Sequence, residues 1–313
     1  MYVKDNQLCF GQHLRVSFQR TVRVPAGTLE FPLPPSFGSF PVQLFNGKRL
    51  DKNIDSLCDS AILEAVIPMR PQEALWFGFE GTDRYPHAVM IGAGEINVLT
   101  GERWDESLSA SPQNYIICPD QPWLDGINAG DGFVRQFVAT PLGSGLALEE
   151  QLDARELTGG IRITVFGPKS ELLPAHAPPT PSRLDSPLME EPAGEERIAL
   201  GAGGKIRQQI YPDPYGVEVW DTSPLGRAFI HLLNSAQYRA LTGLEAPPTP
   251  IDAQTYANLG LPWFELDERD DLLPAERLTR LKTVGSDEEG DETADIDRLN
   301  VRRLRRDSTR VDE

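Results

Sequence analysis

One segment, residues 119–142, combines an aromatic side chain with polar groups that suit ligand binding. In its sequence, PDQPWLDGINAGDGFVRQFVATPL, Trp123 precedes a turn at Asp125, and Arg135 and Gln136 lie between apolar neighbours in a predicted strand. An aromatic face beside amide and guanidinium donors suits polyols and carboxylates. The same pattern is typical of a β-hairpin whose tryptophan closes one end of a sandwich, and we prefer this structural interpretation.

Histidine adds little support for catalysis. The four histidines, at positions 13, 87, 176 and 231, show neither i, i+4 pairing nor ligand spacing with cysteines or carboxylates. His231 is predicted on the apolar edge of a helix, where a packed or capping histidine is the simpler interpretation. An enzymatic alternative stays open, with a pocket built from Asp125, Arg135, Gln136 and His231.

A second group of aromatic residues lies in loops rich in Pro and Gly, in segments 211–216, 219–221 and 261–264. Tyr and Trp in such loops are typical of interaction surfaces. They are equally typical of loops that pack on a neighbouring part of the protein, which we favour. The candidate residues here are Tyr211, Tyr215, Trp220 and Trp263.

Familiar catalytic and cofactor signatures are missing. The glycine cluster 201–205, GAGGK, lacks the Ser or Thr that follows the Lys of a phosphate-binding loop, so it predicts a flexible lead-in to a second unit. No Gly-x-Ser-x-Gly motif occurs. An acidic cluster lacks the calcium-loop pattern and predicts a solvated face; it comprises Glu149, Glu150, Asp153 and Glu156. The sequence therefore predicts no metal and no cofactor.

The elements that must position these residues are mainly strands. Segments 13–24, 73–79, 87–99, 114–118, 133–139 and 160–166 are short, rich in β-branched or aromatic residues and bounded by turn formers. In the last of them Ile161, Ile163 and Val165 alternate with Arg162 and Thr164, which is typical of a half-buried antiparallel strand. The pattern predicts a mainly β fold, an antiparallel β-sandwich-like domain over residues 1–168.

The rest of the chain changes character. Residues 169–195 are rich in proline and predict a linker or loop, and residues 196–284 a mixed helical and loop extension packed on the β domain. Its main helix is expected between Ser223, a good N-cap, and Gly243, a good terminator, with shorter helices at 252–259 and 273–284. Residues 285–313, acidic and then basic, predict a disordered tail.

Composition narrows the setting. The chain has 313 residues and a formal net charge of −17, which argues against nucleic-acid binding. Three cysteines without CxxC spacing predict a reducing compartment. No signal peptide and no apolar run of membrane-spanning length is found, so a soluble, cytoplasmic protein is expected.

Several strings resemble a family of uncharacterised bacterial and fungal proteins. They are QPWLDG (121–126), VRQFVATPLG (134–143), TGGIRITVF (158–166), GAGGKIRQQIYPDPYG (201–216) and GLPWF (260–264). The resemblance extends over most of residues 13–284 and brings no activity. It implies that the β region and the C-terminal unit form one architecture.

Two hypotheses about function follow. The first is a non-catalytic binding or assembly protein that recognises a protein partner, a second copy of itself or a saccharide through its aromatic loops. The second is an enzyme with the four-residue pocket named above. The missing catalytic signatures favour the first.

Overall fold

A computed structural model describes residues 1–27, 29–45, 62–152, 154–172, 197–266, 270–285 and 299–304. The strands are β1 (Tyr2–Lys4), β2 (Gln7–Phe10), β3 (Leu14–Thr21), β4 (Glu30–Phe31), β5 (Gln43–Leu44), β6 (Leu63–Pro68), β7 (Ala74–Gly81), β8 (His87–Ala93), β9 (Ile96–Asn97), β10 (Ile116–Cys118), β11 (Trp123–Leu124), β12 (Gly126–Gly130), β13 (Phe133–Pro141), β14 (Ile161–Phe166), β15 (Ile198–Arg207), β16 (Gly226–Leu233), β17 (Pro262–Leu266) and β18 (Asn300–Leu304). The helices are α1 (Leu148–Gln151), α2 (Ser235–Thr242) and α3 (Ala253–Asn258).

The main sheet confirms the predicted class: the fold is mainly antiparallel β and sandwich-like. Its strand order is β1-β2-β3-β7-β13-β15-β16-β14-β8-β10, with β11 on β7, β12 on β13, β4 on β15, β9 on β8, and β5 and β6 attached to β16. Inward side chains from both halves of this order meet in one apolar core, as alternation requires. The side chains on the outward faces of these strands point away from this core.

The region after residue 196 supplies the middle of this sheet. Strands β15 and β16 lie between β13 and β14, so residues predicted as helix and loop pair with strands of the predicted β domain, residues 1–168. The glycine cluster 201–204 lies inside β15 and is no flexible lead-in. A side chain at Gly204 would collide with the backbone carbonyl of Pro25, so close approach of the chain explains the glycine.

The predicted helix from Ser223 is wrong over its first half. Residues Gly226–Leu233 form β16, which pairs antiparallel with β14 and parallel with β6. Because β16 is buried on both faces, its apolar run imitates helical spacing. The helix begins only at Ser235, where the side chain of Asn234 accepts a hydrogen bond from the backbone N–H of Gln237, and it ends at Gly243 as predicted.

The other C-terminal predictions meet with mixed results. The short helix at 252–259 is confirmed as α3, capped by Asp252. Only Glu276–Leu278 is helical in 273–284, as a single 3-10 turn. Strand β18, inside the tail predicted to be disordered, pairs in parallel with β17. Most of the predicted linker and tail lies outside the described residues.

Candidate functional site

A cavity of about 1140 Å³ is lined by Arg162 of β14, Asn97 of β9 and residues of the segment that follows β9. The cross-strand neighbours of Arg162 are Gly92 on β8 and Phe229 on β16. Residues 98–115, which we call the cover loop, form much of the cavity wall. The volume is slightly above the usual range of small-molecule pockets, which ends at about 1,000 Å³.

A charged pair, buried at Arg162 and partly buried at Glu95, forms the floor of the cavity. The Arg162 side chain is only 9% exposed, and its Nη2 lies 3.7 Å from Oε1 of Glu95, whose side chain is 18% exposed. The Arg162 guanidinium also lies over the Phe229 ring, 5.5 Å from its centroid. A cation held by an aromatic face and a nearby carboxylate has its position fixed before a ligand arrives.

An indole ring forms one wall. A Cβ at Gly92 would lie 2.7 Å and 2.9 Å from Cε3 and Cζ3 of Trp104, so the ring rests directly on the strand backbone at this glycine. The Trp104 backbone N–H donates to the Glu95 carbonyl at 2.7 Å, which ties the ring to the charged floor. Trp104 is half-buried and lines the cavity.

Two asparagine side chains, Asn97 of β9 and Asn114 of the loop itself, hold the cover loop in place. Asn97 accepts from the backbone N–H groups of Leu99 and Thr100 and donates to the Asn114 carbonyl at 2.7 Å. Asn114 in turn donates to the Ser107 carbonyl at 2.9 Å. These bonds preorganise the wall, so ligand binding does not have to order it.

Two carboxylates attach the site to the sheet. Glu106 accepts from Thr164 Oγ1 on β14 and, at 2.6 Å, from Arg227 Nε on β16. Below the floor, buried Glu149 accepts from the backbone N–H groups of Glu95, at 2.9 Å, and of Thr158 and Gly159. Burial raises the pKa of Glu149, while those hydrogen bonds act in the opposite direction.

The predicted acidic cluster therefore divides into different roles. Glu149 is buried and supports the Glu95 turn, so it is no solvated face. Glu150 accepts from the backbone N–H groups of Gly143 and Ala147, and Glu156 lines the cavity. Asp153 lies outside the described residues. Within the described ranges, no three His, Cys, Asp or Glu side chains form a group suited to a metal ion.

The four residues of the enzymatic hypothesis have separate partners. Asp125 is buried with Gln208, whose Nε2 donates to Oδ2 at 2.8 Å. Gln136 is fully buried and bonds the backbone of residues 22 and 24, and Arg135 donates to Thr283 Oγ1 at 3.1 Å. His231 lies on β16, 3.1 Å from Glu64. None of the four lines the cavity.

The Asp125 carboxyl is the most perturbed of these groups. Complete burial raises its pKa from 3.8 to about 7, against the effect of the Gln208 hydrogen bond. The Gln208 side chain also accepts a hydrogen bond from the Asp125 backbone N–H at 2.8 Å. Gln208 thus bonds both the backbone and the side chain of Asp125, and the two bonds close a ring. This arrangement holds β11 and β12 against the end of β15 and explains the polar residues structurally.

Two of the aromatic candidates are packed in the interior. Trp220 is buried and donates to Asp213 Oδ2 at 2.9 Å, and Trp263 is fully buried. Tyr211 donates its backbone N–H to Gln121 Oε1. Tyr215 is exposed and packs edge-on against Trp220. The interpretation of packed loops is thus confirmed for the two tryptophans.

Trp123 differs from the other candidates. It is half-buried on β11, opposite Gly78 of β7, and its ring centroid lies 6.2 Å from that of Trp76. Trp123 lies on the outward face of β7 and β11, and neither of these strands lines the cavity.

The residues that build the cavity were not predicted from sequence as a site. Alternation in 160–166 places Arg162 outward, but its pairing with Glu95 and the position of Trp104 depend on the cover loop. Comparisons with family models, curated proteins and solved structures each return no match. Among the described residues, no helix has the length and apolar character needed to cross a membrane.

Proposed function

We propose that the protein binds a short neutral saccharide in the cavity below the cover loop. The observation that carries the proposal is the indole of Trp104, which rests on Gly92 beside the partly buried Arg162–Glu95 pair. The C–H face of a pyranose ring stacks on an indole, while its hydroxyl groups require both donors and acceptors around it.

The charged floor fits a hydroxyl group. At 3.7 Å, Arg162 and Glu95 are too far apart for a direct hydrogen bond of normal length. A hydroxyl between them accepts from the guanidinium and donates to the carboxylate, and both bonds are charge-assisted. Vicinal hydroxyls of a sugar offer such groups repeatedly.

The balance of charge favours an uncharged ligand. The residues that line the cavity include four arginines and five carboxylates, and Arg277 pairs with Glu102 at 2.9 Å. A site for a phosphate or a metal ion has an excess of one sign. Hydroxyls of Ser107 and Ser109 add neutral hydrogen-bonding groups to the wall.

We also propose a cytoplasmic location. Cys9 and Cys118 are free and buried, as is usual where thiols stay reduced.

The test is calorimetric titration with short neutral oligosaccharides of glucose, xylose, mannose or N-acetylglucosamine. We expect Trp104→Ala to weaken binding by about tenfold or more, which corresponds to about 1.4 kcal/mol. Glu95→Gln should weaken binding too, because the bridging hydroxyl loses a charged acceptor.

Glu245→Gln is the matched control. Glu245 follows α2, forms an exposed ion pair with Arg239 of that helix and does not line the cavity. Binding equal to wild type in folded Trp104→Ala would contradict the proposal, as would the absence of heat with every oligosaccharide.

A further inference from the structure

A second aromatic surface lies on the outward face of β3, β7 and β11. Trp76 of β7 is the cross-strand neighbour of Gln19 on β3. Two residues further along β7, Gly78 has Ser17 of β3 on one side and Trp123 of β11 on the other. The surface that we call the tryptophan face consists of Ser17, Gln19, Ser36, Ser39, Trp76, Gly78 and Trp123. None of them lines the cavity.

The Trp76 ring lies along the sheet and is half-buried. A Cβ at Gly78 would lie 3.2 Å from Trp76 Cζ3, so the benzo edge of the indole extends over the glycine. The Trp123 ring is tilted by 56° to it at a centroid distance of 6.2 Å. Two half-buried indoles at this spacing form an apolar strip on an otherwise polar face.

A fixed row of neutral polar groups runs beside this strip. Gln19 Nε2 donates to Ser17 Oγ at 2.8 Å and to Ser39 Oγ at 2.9 Å, and Ser36 Oγ donates to Gln19 Oε1 at 2.6 Å. Ser36 is exposed and Ser39 half-exposed, so their hydroxyls keep capacity for further hydrogen bonds.

Charges lie at the border of the face and are paired. Arg15 and Glu80, cross-strand neighbours on β3 and β7, form a 3.2 Å ion pair, and Gln7 donates to Glu80 at 2.9 Å. None of the seven residues of the tryptophan face has a charged side chain. This composition disfavours an ionic ligand.

We infer that the tryptophan face is a second saccharide site, one that takes an extended neutral polysaccharide chain. Two indoles 6.2 Å apart can contact more than one part of an extended chain, whereas the cavity lining includes one tryptophan, Trp104. The two tryptophans stack on sugar rings while the serine and glutamine row bonds to hydroxyl groups. Trp123, predicted from sequence as a ligand contact, belongs to this face.

The test is native gel electrophoresis with soluble hydroxyethylcellulose, xylan or galactomannan in the gel. We expect at least one polymer to retard the wild-type protein, and Trp76→Ala to reduce its apparent affinity about tenfold or more. Trp76→Phe should recover part of the loss because it keeps an aromatic ring. Gln19→Ala, which leaves both indoles in place, should also weaken retardation.

Trp104→Ala separates this inference from the cavity. If it keeps polymer retardation but loses oligosaccharide binding, both sites stand. If Trp76→Ala and Gln19→Ala, folded by circular dichroism, are retarded like wild type, the second site is refuted and the cavity is unaffected. Failure of every polymer to retard the wild-type protein also refutes it.

Discussion

Replacing Asp125 by Asn tests how the buried polar residues of segment 119–142 act. Asn keeps the shape and an oxygen that accepts from Gln208 Nε2, and it leaves the backbone bond to Gln208 in place. It removes the ionisable carboxyl. Any pH dependence of stability that comes from Asp125 should therefore disappear.

The sign follows from the raised pKa. Burial raises the pKa of Asp125 to about 7, so the folded state binds this proton more tightly than the unfolded chain. The stabilising effect is complete below the ordinary pKa of 3.8 and is lost as the pH rises through 7. The two pKa values differ by about 3, which corresponds to about 4 kcal/mol in total, and about 2 kcal/mol of this is lost between pH 5.5 and 8.5.

The assay is urea denaturation of wild type and Asp125→Asn at pH 5.5, 7 and 8.5, analysed by linear extrapolation. We predict that the variant gains about 2 kcal/mol relative to wild type across this range. Other groups that titrate, His87 among them, cancel in the comparison. Asp5→Asn, at an exposed position, is the control and should parallel wild type. Parallel curves for Asp125→Asn and wild type would refute the reasoning.

Three further predictions concern stability. Glu149→Ala should lower the free energy of unfolding by about 3 kcal/mol or more in urea denaturation, because it strands several buried backbone N–H groups; a loss below 1 kcal/mol would contradict this. Asn234→Ala should lower the free energy of unfolding by about 1 kcal/mol, because α2 loses its N-cap. Asn234→Ser should retain most of that stability because serine also caps helices, and equal losses in the two variants would contradict a capping role. Burial lowers the pKa of His87 to about 4, so His87 should reduce stability as the pH falls from 6.5 towards 4, opposite to the effect of Asp125. His87→Gln should therefore gain stability relative to wild type over this range, and parallel acid profiles of the two proteins in thermal melts would exclude this.

The fold class was predictable because its signal is local. The alternation of Ile161, Ile163 and Val165 with polar neighbours defines an inward and an outward face whatever the partner strands are. In β16 that signal fails, since Phe229 and His231 on its outward face are covered as fully as the core side. A strand buried on both faces has no period of its own.

The site was less predictable, because its contacts join distant segments. Asp125 was singled out at a turn and Gln136 as a polar residue between apolar neighbours. Gln208 satisfies Asp125, and residues 22 and 24 satisfy Gln136, from far along the chain. Arg162 was placed on the correct face, yet only the path of the cover loop brings Trp104 to it. Loop paths of this kind follow from the whole packing and leave little local trace.

The indole N–H signals of the five tryptophans provide the most direct test of saccharide binding in the cavity. In protein labelled with ¹⁵N-tryptophan and assigned by single Trp→Phe variants, a short neutral oligosaccharide should shift the Trp104 signal in a saturable way. The signals of buried Trp220 and Trp263 should stay in place. A Trp104 signal that does not move while the oligosaccharide binds, or that moves only together with all five, would contradict the account.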